Sequence, residues 1–431
     1  MNNRPPDWDD VALDDFGEIV AGGTPSRTAP SFWNGDIPWV TPSEITALKN
    51  KHLRETREQI TREGLASSAA KLLPPGTLLV TSRATLGEVA IAGVSVTTNQ
   101  GFKNIIPNEA TDSLFAYYRI GTLKPELERR ASGTTFLEIS KADFSRIRTL
   151  RPNRAEQSRI ATVLDTVDEA IAKTEAVIAK LKQVRAGLLH DLLTRGLDEN
   201  GQLRDPIAHP EQFQDSPIGR IPRIWKFQLL GEMVASAVDG PFGSNLKTEH
   251  YVSQPGVRVV RLQNIESGRF DDADKAFISE QHAFDLRRHE VIAGDLLVAS
   301  MGDENHPLAR ACLYPANISP GIVKADCFRL RMKKSMAINC FVMLILNCPS
   351  TRREVNVLGQ GVTRDRINLS TLLKLRVLRP SVEEQKQVVK LVDDLDIKIR
   401  NEMTLYSKLA FVKSALMADL LTGRVRVPAS L

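Results

Sequence analysis

Cysteine is missing from the first 311 residues of this 431-residue chain. The four that follow, Cys312, Cys327, Cys340 and Cys348, form no Cys-x-x-Cys pair. Neither a disulfide framework nor a zinc site therefore defines the fold, and the four read as small buried apolar residues in a reducing compartment. Histidines number seven and are scattered. His282 and His289 lie seven apart, but they read as surface residues and not as metal ligands. No run of 18 apolar residues exists, so nothing is expected to span a membrane. The opening MNNRPPDWDD has no apolar stretch, so no secretory signal is expected, and the expected location is cytoplasmic.

Catalytic signatures are equally scarce. There is no Gly-x-x-x-x-Gly-Lys-Ser/Thr phosphate loop. There is no Asn/Asp-Pro-Pro-Tyr/Phe tetrapeptide of amino-methyltransferases, and no glycine-rich cofactor loop follows a strand. Pro380, Glu384 and Lys386 have the look of a nuclease set, but they fall at a helix start and read as a cap. A net charge of +5 is compatible with nucleic acid but does not select it. A hydrophobic content of 42% and a charged content of 25% are those of a folded protein long enough for two to four domains.

What the chain does have is a duplication. Residues 133–157, GTTFLEISKADFSRIRTLRPNRAEQ, match residues 361–385, GVTRDRINLSTLLKLRVLRPSVEEQ, at nine of 25 positions without a gap. The 228-residue register continues until both copies reach Asp-Leu-Leu-Thr, at 191–194 and 419–422. Upstream, Gly76-Thr77-Leu78-Leu79-Val80 matches Gly294-Asp295-Leu296-Leu297-Val298 at an offset of 218. Insertions therefore separate the copies in the globular part and not in the part that follows. Such a repeat predicts internal pseudo-two-fold symmetry and a two-fold partner or ligand.

Each half has two parts, and the class is α+β. Residues 1–152 and 225–380 are strand-rich, with short apolar runs bounded by Gly, Pro and Asn. Leu-Arg-Pro at 150–152 and 378–380 ends a strand, because proline removes a ladder donor. Asn153-x-x-Glu156 and Ser381-x-x-Glu384 then read as capping boxes opening long helices over 153–195 and 381–422. Their apolar residues recur at steps of four and three. The first seam is Ile160, Leu164, Val167, Ile171, Ile178, Leu181, Leu188 and Leu192. The second is Val388, Val392, Leu395, Ile399, Tyr406, Leu409, Leu416 and Leu420. Both seams break at matching places, Thr174 and Arg185 in one, Glu402 and Lys413 in the other. This is a heptad pattern over a helix about 60 Å long. Neither helix can bury its stripe alone, so each is expected to pack on the other as an antiparallel coiled coil. Residues 196–224 form a proline-rich ordered connector ending in Gly219-x-Ile-Pro-x-x-Trp225. Pro5-Pro6-Asp7-Trp8 echoes that ending. Residues 423–431 form a tail.

Three loops lie at matching places in the two halves. Thr81-Ser82-Arg83-Ala84-Thr85-Leu86-Gly87 corresponds to 299–305, with Ser300 and Asn305. Thr98-Asn99-Gln100-Gly101-Phe102-Lys103 corresponds to 322–328, with Lys324. Gly133-Thr134-Thr135 corresponds to 361–366, with Thr363, Arg364 and Arg366. They read as exposed loops after buried strands. Arg can bond guanine through two hydrogen bonds, Asn and Gln can do the same to adenine, and Ser or Thr can reach phosphates. Ser82, Arg83, Thr85, Asn99, Gln100, Lys103, Thr135, Ser300, Asn305, Lys324, Thr363, Arg364 and Arg366 are therefore the candidate DNA-contacting residues.

With these segments in hand, the chain resembles the specificity subunit of a type I restriction–modification system over nearly its whole length. The resemblance is carried by LLVTSRATLGEVAI (78–91), TNQGF (98–102), the Gly-x-Thr…Ile-Ser-Lys segment (133–141) and Leu-Arg-Pro…Glu-Gln (150–157) with its copy. The connector Arg204-Asp205-Pro206…Gly219-x-Ile-Pro-x-x-Trp225 completes it. The second domain departs from the family's Ser-x-x-Gly-x-x-Gly, showing Ser300-Met301-Gly302-Asp303 and then Glu304-Asn305-His306-Pro307, so loop roles transfer there less directly. The resemblance implies two target-recognition domains, each reading one half of a split duplex sequence, and helices that fix the spacing. It also implies two modification subunits docked on this chain and two restriction subunits beyond them. S-adenosylmethionine, ATP and Mg would sit on those partners, and none on this chain. Two rivals remain open from the residues alone: a helical scaffold with two protein-binding domains and no DNA affinity, and an enzyme without a recognisable signature.

Overall fold

Leu78-Leu79-Val80 and Leu296-Leu297-Val298 carry only apolar side chains, and each becomes a fully buried strand. Period-two alternation sends their side chains to opposite faces of a sheet. Leu78 and Val80 join one core with Phe16, Phe115 and Phe144, while Leu79 joins another with Val20, Val40 and Phe102. The copy repeats this division, with Leu296 and Val298 on one side and Leu297 with Val260 and Val323 on the other. The computed structural model describes residues 5–133, 137–216, 219–253, 256–359 and 365–429.

The chain divides into two compact units, Met1–Val177 with Glu402–Leu431, and Ile178–Asn401. These units do not follow chain order, because each takes part of both long helices. In the first unit a five-stranded sheet runs in the order Gly17–Ala21, Lys103–Pro107, Leu78–Val80, Val89–Ala92 and His52–Leu53. A three-stranded sheet, Glu58–Ile60, Trp33–Val40 and Thr97–Thr98, completes the domain. In the second unit Val234–Asp239, Cys327–Met332, Leu296–Ala299 and Ala311–Leu313 form a four-stranded sheet. Five short strands around Val257–Val260 and Gly321–Val323 form the other. Cys312, Cys327 and Cys348 are buried as the sequence suggested, but Cys340 is partly exposed.

A two-stranded ribbon leads into each helix. Asp9–Ala12 pairs antiparallel with Arg148–Arg151, and Lys226–Leu229 pairs in the same way with Arg376–Arg379. Proline follows each ribbon, and the helices run Arg154–Thr194 and Val382–Leu420. Asn153 Oδ1 and Ser381 Oγ accept from the backbone N–H groups of Glu156 and Glu384 at 3.0 and 3.1 Å.

The two glutamates do something a local capping box does not describe. Glu156 Oε2 accepts from the indole of Trp8 at 3.2 Å, and its two oxygens accept from Arg426 at 2.6 and 2.7 Å. Glu384 accepts from the indole of Trp225 at 3.0 Å and from Arg204 at 2.7 Å. The Pro-Pro-Asp-Trp echo is thus real: each tryptophan docks on the equivalent glutamate. The arginine comes from the tail in one unit and from the connector in the other. The neighbouring glutamines are fully buried and equally paired. Gln157 binds the Asp112 N–H and the Ala110 and Pro152 carbonyls, and Gln385 binds the Ile338 N–H and the Met336 and Pro380 carbonyls. The repeated Glu-Gln therefore bolts each strand-rich domain to its helix.

The helices pack antiparallel. In the first unit Ile160, Ala161 and Leu164 share a core with Leu416, Leu420 and Leu421. In the second, Leu188 and Leu192 share one with Val388 and Val392. Ile178 and Ile399 are buried, and Val167, Ile171, Leu181, Leu395 and Leu409 are half-buried. Tyr406 departs from the expected seam, being 36% exposed, as suits a phenol whose hydroxyl gains from water. Thr174, a break in the seam, is buried and returns its hydroxyl to the Ala170 carbonyl at 2.8 Å. Among the described residues no helix is long and apolar enough to cross a membrane.

Candidate nucleic-acid interface

In the first unit two of the loops singled out by sequence, around Ser82 and Gly101, meet the segment 137–139 that follows the third, stitched by main-chain hydrogen bonds. Ser82 N–H donates to the Gly101 carbonyl at 2.8 Å, and Ile139 N–H donates to the Ser82 carbonyl at 3.1 Å. Arg83 bridges to Glu138 as an antiparallel pair. A fourth segment joins them, because Gly23 N–H donates to the Thr98 carbonyl at 2.9 Å and the Thr24 hydroxyl donates to Gln100 Oε1. Gly22 makes the approach close: a Cβ there would sit 1.9 Å from the Asn99 carbonyl oxygen, so only glycine fits.

The side chains on this platform fall into two groups. Gln100 is exposed, and Arg83 is half-exposed with its guanidinium 3.9 Å from the Glu138 carboxylate. Asn99 closes its own loop by accepting from the Gly101 N–H at 2.9 Å. Ser82 and Lys103, expected on an exposed loop, are instead buried. Lys103 opens the strand Lys103–Pro107 and points inward, donating to Ser82 Oγ at 3.2 Å with Glu138 at 3.9 Å. Burial pushes its amine below the usual lysine range, against the pull of Glu138. Thr85 presents a buried hydroxyl without a hydrogen-bond partner among the described residues.

The second unit is stitched in the same way with different residues. Ser300 N–H donates to the Asp326 carbonyl and Ile367 N–H to the Ser300 carbonyl, both at 2.9 Å. Met301 bridges to Arg366, and Gly302 N–H donates to the Asp365 carbonyl at 2.9 Å. Gly240 takes the place of Gly22, since its Cβ would meet the Lys324 carbonyl oxygen at 1.9 Å. Ser300, like Ser82, is buried and not exposed. Lys324 donates to the Tyr251 hydroxyl at 3.0 Å. Asn305 is exposed in a turn closed by Asp303. Arg366 is half-exposed and ion-paired with Asp326, whose backbone is left-handed at φ 71°. Asp239 lies beside this pair. Burial pushes its carboxyl up to about 6, with the Gly240 N–H opposing, Asp326 adding to the rise and Arg366 reducing it. Thr135, Thr363 and Arg364 lie outside the described residues.

Two arginines were not legible as site residues. Arg27 lies on the segment after Gly22-Gly23, stacked 3.8 Å over Trp33 and paired with Glu58. Arg310 is buried, and its guanidinium donates to the carbonyls of Ile265, Met301 and Leu262 at 2.6, 2.8 and 3.1 Å, locking the loop after Leu296–Ala299 to the sheet beside it. The glycine following a strand at the same offset of 218 in both copies, Gly22 and Gly240, was the available signal for the fourth segment.

Each unit thus carries a strand-rich domain with a four-segment loop platform built by matching main-chain bonds. The type I restriction modification DNA specificity domain family matches residues 5–183. The chain is 27% identical to the type I restriction enzyme MjaIX specificity subunit of Methanocaldococcus jannaschii over 430 residues, covering 98% of this chain and 94% of that protein. It is 29% identical over 163 residues to the EcoR124I/EcoR124II specificity subunit of Escherichia coli, which is 36% of this chain and 40% of the relative. In fold it is similar to the type I restriction–modification S subunit from M. genitalium, with a TM-score of 0.56 at 17% identity, over 98% of this chain and 97% of that one. Residues 5–183 thus match the DNA specificity domain of type I restriction–modification systems, and over nearly its whole length the chain is similar to specificity subunits of such systems.

Proposed function

We propose that this chain is the non-catalytic DNA-reading subunit of a type I restriction–modification complex, with each loop platform reading one half of a bipartite duplex target. The observation that carries this reading is the construction of one platform twice, by the same main-chain stitches, with unlike side chains on top. A scaffold binding one kind of protein partner twice gains nothing from that divergence, whereas two unrelated half-sites require it.

The long helices set the spacing between the half-sites and dock two modification subunits, with two restriction subunits joining through them. Exposed apolar residues on the outer faces of the helices support docking. Val177 and Val184 of the first helix are each 44% exposed, and Leu405 and Val412 of the second are 45% and 43% exposed. They correspond at the 228-residue offset, so both helices carry the same second stripe. S-adenosylmethionine, ATP and Mg belong to those partner subunits.

Replacing residues 1–150 with those of a relative tests the reading. One half of the methylated sequence changes, while the other half and the spacing stay. An unchanged methylation motif after the exchange rejects the domain assignment. The protein-scaffold rival is separated by DNA affinity of the purified complex, which on our reading falls steeply with salt as phosphate contacts release counterions.

A further inference from the structure

Both platforms hold one arginine against one carboxylate, but they build the pair from different segments. In the first unit Arg83 comes from the loop after the buried strand and Glu138 from the later segment. In the second unit the later segment supplies the arginine, Arg366, and the middle loop supplies the carboxylate, Asp326. The bridge partner of Arg366 is Met301, so the arginine has changed sides of the same junction. Two unlike routes to one arrangement indicate that the arrangement itself is used.

The second pair is the better defined. Only Nη2 of Arg366 is taken, by Asp326 Oδ1, and its Nε and Nη1 make no hydrogen bond among the described residues. Asp326 is placed at a cost, since a non-glycine residue at φ 71° is disfavoured. Its Oδ1 also receives the Ser300 hydroxyl at 3.4 Å. Arg366 thereby loses side-chain freedom before any ligand arrives, which removes part of the entropy cost of a two-point contact. A guanidinium fixed on one edge with donors left over matches two acceptors side by side, as guanine presents at O6 and N7 in the major groove.

We propose that Arg366 reads a guanine in the half-site of the second unit, with Asp326 as the positioning residue that presents its free donors. This rests on the DNA-reading function proposed above and adds the residue and the base. The test uses the full modification complex with the methyltransferase subunits of its own system, methylating a library of random duplexes whose motif is then sequenced. The half-site assigned to residues 225–380 contains a guanine. Arg366→Ala lowers preference for that base by about ten- to a hundredfold and leaves the other half-site alone. Arg366→Lys, which keeps the charge but not the fork, does not restore the preference. Asp326→Asn weakens the preference at that one base without changing the salt dependence of binding, which a merely structural role would not do. If Arg366→Ala fails to assemble, unmodified complex on DNA carrying 7-deazaguanine, which lacks N7, decides the matter by showing the same loss. A uniform loss across all sequences makes Arg366 a phosphate contact and overturns the proposal. So does a half-site without guanine, or an unaltered preference. Absence of any bipartite motif in the unmodified complex would instead defeat the DNA-reading function itself.

Discussion

Arg185 of the first long helix grips Asp396 of the second through two parallel hydrogen bonds, one from Nε and one, at 2.9 Å, from Nη2. The 228-residue offset turns this pair into Lys413 with Asp168, which is also formed, at 2.7 Å. Both basic residues occupy breaks in the apolar seam. A buried or half-buried charge at a seam position costs stability unless it is paired, so such residues specify register more than they add affinity.

Register is therefore open to a direct test. Asp168 and Arg185 are 17 residues apart on one helix, as are Asp396 and Lys413 on the other. Deleting one heptad between Asp168 and Arg185 leaves no alignment that forms both pairs. Deleting matching heptads from both helices restores both. We expect the single deletion to broaden urea unfolding and abolish binding of modification subunits, and the matched deletion to recover assembly with an altered half-site spacing. Equal behaviour of the two deletions would show that the ion pairs do not set the register.

The paired glutamates predict an unequal response. Glu384 and Arg204 are both nearly buried, with side-chain exposures of 6% and 7%. Glu384→Ala strands a buried guanidinium and is expected to cost about 3–5 kcal/mol. In the other unit Arg426 is 41% exposed and keeps Asp7, bonded at 2.7 and 2.8 Å, when Glu156 is lost. Glu156→Ala is expected to cost about 1–3 kcal/mol. Urea midpoints compared at equal slope measure the difference, and equal losses would mean that the tail closes its unit as firmly as the connector closes the other.

These glutamates also show where sequence reading stopped. The helices, their seams and the ends of the preceding strands were legible because periodicity, capping and proline act over a few residues. The Asn153 and Ser381 caps formed, but the partners of Glu156 lie 148 and 270 residues away, and no local pattern names them. The matching of Trp8 with Trp225 was visible only because the chain repeats itself. In the loops, sequence found three segments of the platform but not which way their side chains point. Lys103 turns inward as the first residue of the strand Lys103–Pro107, on the same face as buried Ile105. Ser82 and Ser300, just past their buried strands, are covered by the neighbouring segments to which their backbones bond. Arg27 and Arg310 escaped notice because one belongs to the glycine-led fourth segment and the other is satisfied entirely by carbonyls from elsewhere in its domain.

Asp239 should make the second unit pH-sensitive. Its ordinary carboxyl value of 3.8 is pushed up to about 6, chiefly by burial. The folded state thus binds the proton more tightly than the unfolded state. Its contribution to stability is complete below about pH 3.8 and is lost as pH rises through about 6. Asp239→Asn, which keeps the shape and removes the charge, should raise the thermal midpoint at pH 7.5. The difference from the unsubstituted protein should shrink as pH falls toward 5. A midpoint difference that stays constant between pH 5 and 7.5 would show that the carboxyl does not titrate there.

Arg83 carries the sharpest prediction for the first unit. It stands half-exposed over the junction of three segments, opposite Glu138, at the place where the second unit puts Met301. If it contacts a base through two hydrogen bonds, Arg83→Ala weakens DNA binding by roughly 1–3 kcal/mol and relaxes specificity at one position of the first half-site. Glu138→Gln separates contact from support. It leaves the arginine in place, so it should relax the same position less, while leaving the second half-site untouched. Wild-type affinity in Arg83→Ala removes this residue from the interface. Each platform lies in its own compact unit, so loss at both half-sites together would instead mean that the two do not read independently.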